Sequence, residues 1–154
     1  MLFFFTSQVV NTGTTNRPGI LSAVTVYIFI VGIVYQVLLR HIWQPTGLQS
    51  IVDELLHTFN PLLVILYWYL YEEKMLVKYS QIKYWLLFPL AYLVFIMARG
   101  SFSGFYPYPF VNVAEIGLTG ALVNSALLTL FFIVISFLLI SIGKKTEKKS
   151  LLTT

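Results

Sequence analysis

Asp53 and His57 stand four residues apart near one end of a long apolar segment, and Pro61 follows four residues later. On a helix that spacing puts the acid and the imidazole on one face. A carboxylate there fixes the imidazole tautomer and favours its protonated form, as in hydrolase dyads that orient a general base. An ionisable side chain inside an apolar segment is costly, which makes His57 a candidate for function. The alternative is a helix-start pair, in which Asp53 and Glu54 complement the helix dipole and His57 fills a packing contact. Pro61 adds to the candidate. It lacks an N–H, so the carbonyl of His57 loses its usual partner and needs water, a ligand or a neighbour such as Asn60. Pro89 does the same to Trp85 with no ionisable group close by, and reads as a plain kink.

A histidine base needs a nucleophile at its own depth. Thr25 lies about 20 Å below the outer end of its helix and His57 about 10 Å below the end of its own, at 1.5 Å per residue. Thr25 is therefore too deep. Thr119, Thr58, Ser101 and Ser103 lie nearer, but Thr58 adjoins His57 and the two side chains diverge around the helix. The connection ARGSFSGFYPYPFVNV, residues 98–113, is the second unusual element. Its two X-Pro pairs favour extended or turn backbone, and Gly100 and Gly104 permit tight turns. The segment is expected to fold back as an aromatic cap over the helix ends. Arg99 could pair with Asp53, Glu54 or Glu115, hold a carboxylate or phosphate, or snorkel to head groups. With Tyr106 and Tyr108 it forms the substrate-binding candidate set.

The elements that would position these residues are helices in a membrane. Of 154 residues 58% are apolar and 10% charged, against roughly a quarter charged in a soluble domain. Mean hydropathy is +0.81. The chain has no cysteine, which excludes disulfides, thiolate metal sites and Cys nucleophiles. Two histidines and six acids are too few for a multi-ligand metal centre, so no metal or cofactor is expected. The net charge of +4 does not point to nucleic acid, because Lys144, Lys145, Lys148 and Lys149 directly follow an apolar run. That is a stop-transfer flank, suited to anionic lipid head groups.

Four stretches are long enough to span a hydrocarbon core of about 30 Å: 20–39, 51–71, 83–99 and 115–142. The expected fold is all-α, a multi-pass helix bundle over 20–142. An N-terminal segment and linker (1–19) precedes it, and a basic cytoplasmic tail (143–154) follows. MLFFF lacks the basic region of a signal peptide. With both termini cytoplasmic, Arg17, Lys74, Lys78, Lys83 and the four tail lysines lie inside and only Arg40 and Arg99 outside. Eight against two is a positive-inside bias. Tyr67, Trp68, Tyr69, Tyr71, Tyr79, Tyr84 and Trp85 form the inner aromatic belt, and Trp43, Tyr106 and Tyr108 the outer. Arg40, His41, Asp53, Glu54, His57, Arg99 and Glu115 then gather at the outer helix ends. In the last helix Gly117, Ala121 and Ser125 recur every four residues, a small-residue stripe for close helix packing.

VYIFIVGIVYQVLLRHIWQP, LLHTFNPLLVILYWYLY and FPLAYLVFIMARGSFSGFYPYPF, followed by a glycine-bearing last helix, resemble the bacterial "Pr-six-Pr" multi-pass membrane family over about residues 18–142. That family is similar in turn, chiefly through the HT-x-x-P and YPYPF patterns, to the androgen-induced family of membrane threonine hydrolases acting on fatty acid esters of hydroxy fatty acids. The resemblance implies that His57 corresponds to the catalytic histidine. The relatives' threonine sits in an FT motif of an earlier helix. Phe5-Thr6 would be its remnant, yet only 16 residues separate Thr6 from Ser22, which leaves no room for a complete span. Set beside those relatives, the chain reads as shortened at its N-terminus.

Two classes of function follow. In one, the chain is a non-enzymatic integral membrane protein whose partners are membrane lipids and whose polar cluster ties helix ends together. In the other, a threonine, Thr6 by resemblance, attacks a fatty-acyl ester while His57 acts as base and then acid and Asp53 orients it. The first is the expected one. A transporter is a poor fit to so short a chain with few polar residues at mid-membrane depth, an objection that a homo-oligomer would relax.

Overall fold

The computed structural model of the chain describes residues 18–151. All regular structure among them is helical. Helix α1 covers Ile20–Val34 and continues as a π turn, Tyr35–Leu39. Helix α2 (Leu48–Glu54) passes through a second π turn, Leu55–Phe59, into α3 (Asn60–Tyr71). Short 3₁₀ turns at Lys74–Leu76 and Tyr79–Gln81 lead to α4 (Ile82–Trp85) and α5 (Leu87–Ser103). A 3₁₀ turn at Pro109–Val111 precedes α6 (Val113–Leu151). The chain divides into two compact units, one reaching to Tyr79 and resuming at Leu138, the other spanning Ser80–Phe137.

Among the described residues, three helical segments are long and apolar enough to cross a membrane: Ile20–Leu39, Tyr79–Ser103 and Val113–Lys148. The fourth expected span, 51–71, is helical but carries Asp53 and Glu54 and is interrupted by its π turn. Pro61 explains the interruption. A proline removes one donor from the helix ladder, and the turn before it widens so that the Asn60 N–H bonds the Leu55 carbonyl five residues back. Before Pro89 the regular helix is interrupted only at Leu86, between α4 and α5, and Leu86 keeps right-handed helical backbone at φ −67° and ψ −22°.

Three boundaries differ from the sequence reading. First, α5 runs through Gly100 to Ser103, and Gly104 ends it with φ of 68°. Gly100 is helical and serves a close approach: the Tyr106 ring occupies the space a side chain would need. Second, the stripe expected from Gly117 starts later. Gly117 is a break in α6, at φ 71° and ψ 164°, while Ala121 and Ser125 are buried. Third, the basic tail is not a separate segment up to Leu151, because α6 continues through Lys144–Lys148. Lysine and glutamate are good helix formers, and no proline stops the run.

In the first unit α1 and α3 pack against each other, antiparallel, with α1's π turn beside that of Leu55–Phe59. Gly32 makes this possible, since a β-carbon there would lie 2.9 Å from the Pro61 ring and 3.3 Å from the His57 carbonyl.

Candidate functional site

The two π turns bring a polar network to the end of the helix pair. Tyr35 donates its hydroxyl to Asp53 Oδ2. His57 Nδ1 lies 3.2 Å from Asp53 Oδ1 and 3.1 Å from the Asp53 carbonyl oxygen. Both neighbours are acceptors, so Nδ1 carries the proton and Nε2 presents its lone pair in the neutral ring. The Tyr35 and His57 rings stack at 3.9 Å with planes 11° apart. The sequence placed acid and imidazole correctly. It did not reveal Tyr35, which clamps both by stacking on one and bonding the other. Tyrosine's place at i+3 from Gly32, on the helix that Gly32 lets approach, was the available signal.

A second chain of bonds runs beside the first. Thr58 donates its hydroxyl to Glu54 Oε2 at 2.7 Å and accepts from Gln36 Nε2 at 2.8 Å. Arg40 donates to Gln36 Oε1 at 2.7 Å and pairs with Glu54. Thr58 is thus engaged away from the imidazole, as its place next to His57 on the helix predicted. Among the described residues, no serine or threonine hydroxyl bonds His57. Thr6 lies outside the described residues. Among these residues, too, no three His, Asp or Glu side chains are arranged to hold a metal ion.

Arg99, Tyr106 and Tyr108 belong to the second unit. There the Arg99 guanidinium rests over the Phe105 ring at 5.5 Å. Asp53 and Glu54, two of the partners considered for Arg99, are engaged by Tyr35 and His57 and by Arg40 and Thr58. Tyr106 packs on Gly100, and Tyr108 stacks on Phe110 with centroids 5.3 Å apart. Burial, then a hydrogen bond with Tyr92, pushes the Tyr108 phenol up to about 12. Asn124 donates to the Phe110 carbonyl at 2.9 Å. The YPYPF segment therefore folds back within its own unit, with its tyrosines packed.

The opposite end of the α1–α3 pair holds a cluster that sequence reasoning missed. The Glu72 carboxylate accepts from Gly19 N–H (3.2 Å), Ser22 N–H (2.7 Å) and Ser22 Oγ (2.9 Å). Trp68 Nε1 donates to Ser22 Oγ at 2.9 Å. Lys74 reaches the carbonyls of Tyr69 (2.7 Å) and Glu72 (3.1 Å), and its ammonium lies 5.5 Å from the Trp68 ring centroid. Glu72 is 9% exposed and Lys74 8%. The carboxylate caps the N-terminus of α1, where unpaired N–H groups and the positive end of the helix dipole attract an anion. A hint existed: α1 begins at Gly19, which carries no capping side chain, so its cap had to come from elsewhere. Compared with family models, curated proteins and solved structures, the chain matches none.

Proposed function

We propose that this chain is a multi-pass integral membrane protein that performs no chemistry of its own, a bundle whose polar clusters lock its helices together. Leu48–Tyr71 supplies a fourth crossing beside the three long apolar segments, and both termini lie in the cytoplasm of a bacterial cell. The eight-to-two distribution of basic residues supports this orientation. Membrane lipids are its immediate partners.

The observation that carries the non-enzymatic reading is the hydrogen bonding around His57. Its Asp53 is shared with Tyr35, its ring is covered by Tyr35, and Thr58 is held by Glu54 and Gln36. Each of these contacts joins α1 to the α2–α3 segment or tightens that segment on itself. The test is ester hydrolysis by purified, folded protein with a long-chain acyl reporter, beside His57→Ala. Turnover no higher than an empty-membrane control is expected. Turnover abolished by His57→Ala would sink this reading.

One feature favours a second reading, a threonine-type lipid-ester hydrolase of the kind the family resemblance implies. With Nδ1 on Asp53, Nε2 is left as a proton acceptor in the manner of a general base. Thr6 would then be the nucleophile, and Thr6→Ala would abolish turnover together with His57→Ala.

A further inference from the structure

Beside the His57 network, between the end of α1 and the start of α2, lies an open hollow of about 670 Å³. Tyr35, Arg40, His41, Trp43, Asp53 and Glu54 line it, with Gln44, Ser50 and apolar residues of the connection, α2 and its π turn completing the wall. Its polar groups are unlike: two carboxylates, one guanidinium and an imidazole. Arg40 uses one N–H on Gln36 and one on Glu54, so a guanidinium with five donors keeps several for a ligand. Among the described residues, neither His41 nor the Trp43 indole N–H has a hydrogen-bonding partner. The exposed aromatic face of Trp43, in a wall that also holds two acids, suits an ammonium group. The guanidinium, imidazole and indole donors suit a phosphate.

The surroundings identify where such a zwitterion would come from. The hollow's own wall includes Ile51, Leu55 and Phe59, each more than half exposed, which continue from it down the outside of α2 and the following π turn. A ligand with a phosphate and an amine at one end and hydrocarbon at the other matches a hollow of mixed charge opening onto an apolar flank. We infer that the hollow binds the headgroup of a zwitterionic aminophospholipid. The ammonium sits toward Asp53, Glu54 and Trp43, the phosphate toward Arg40 and His41, and the acyl chains lie along α2. This inference rests on the membrane reading above.

The experiment is native mass spectrometry of the full chain extracted from vesicles of equimolar phosphatidylethanolamine and phosphatidylglycerol, with a parallel sample given free phosphoethanolamine. One phosphatidylethanolamine per chain, enriched about tenfold over phosphatidylglycerol, is expected, corresponding to one carboxylate–ammonium contact of ordinary strength. His41→Ala with Trp43→Ala should bring the ratio close to one. Both side chains are exposed, and Trp43→Ala alone, expected to lower the ratio part-way, serves if the double variant misfolds. Equal retention of the two lipids, or a preference that survives the substitutions, would overturn the inference. Binding of free phosphoethanolamine in place of lipid would overturn the lipid source. Alkaline extraction separates the two levels: release of the chain from membranes removes the membrane reading, whereas retention with equal lipid binding removes this inference alone.

Discussion

The two ends of the α1–α3 pair solve the same problem in opposite ways. Each end must satisfy backbone and ionisable groups where two apolar helices stop. At the Glu72 end the solution is closed: the carboxylate caps α1, Ser22 and Trp68 bond each other, and Lys74 covers the carbonyls of Tyr69 and Glu72. The groups are buried and mutually satisfied. At the His57 end the helices widen into π turns, the acids engage Tyr35, His57, Thr58 and Arg40, and a hollow opens beside them. A buried polar cluster that is fully paired rigidifies a fold, whereas a partly open one leaves capacity for a ligand. The difference assigns stability to one end and recognition to the other.

Substitutions should break the two ends unequally. The largest effect is expected for Glu72→Ala, which leaves the Gly19 and Ser22 donors buried without an acceptor. A loss of about 3 kcal/mol follows from abandoned buried donors and is measured by equilibrium unfolding in detergent. Next comes Gly32→Ala. Its methyl group would press on the Pro61 ring at 2.9 Å, and overpacking of this kind costs about 2 kcal/mol. Thermal unfolding should show the loss, with reduced lipid binding at the hollow as the π turns separate. Tyr35→Phe keeps the ring stack and removes the bond to Asp53, a loss of about 1.5 kcal/mol for a hydrogen bond to a charged group. The smallest effect is expected for Arg40→Ala. The exposed pair with Glu54 contributes little to stability, so unfolding should barely shift while total phospholipid retention at the hollow falls. If Arg40→Ala proved as destabilising as Glu72→Ala, the contrast between the ends would fail.

Much of this was legible in the residues. Apolar run length located the helices of 20–39, 51–71, 83–99 and 115–142, and the four-residue spacing placed Asp53 beside His57. Pro61 announced a disturbance, though not its form, because widening a helix into a π turn depends on the neighbouring helix that accepts the displaced backbone. Gly104 and Gly117 show the same limit. Four glycines fall between 100 and 120, and the ones that adopt positive φ are decided by packing, as Tyr106 on Gly100 illustrates. Glu72 was invisible for a related reason. Its meaning lies in the start of a helix fifty residues earlier, and local spacing carries no such information. Tyr35 was hidden likewise, counted among apolar residues while its hydroxyl reached across to the neighbouring helix.

The closed Glu72 end and the open His57 end are proposed to lie on opposite sides of a membrane. Because the chain contains no cysteine, single substitutions can report on it directly. Gln44→Cys beside the hollow and Glu73→Cys beside the closed end would be exposed, in intact cells and after lysis, to a membrane-impermeant maleimide. Labelling of Gln44→Cys in intact cells and of Glu73→Cys only after lysis is expected. Labelling of both from the same side, or of Glu73→Cys alone in intact cells, would contradict it.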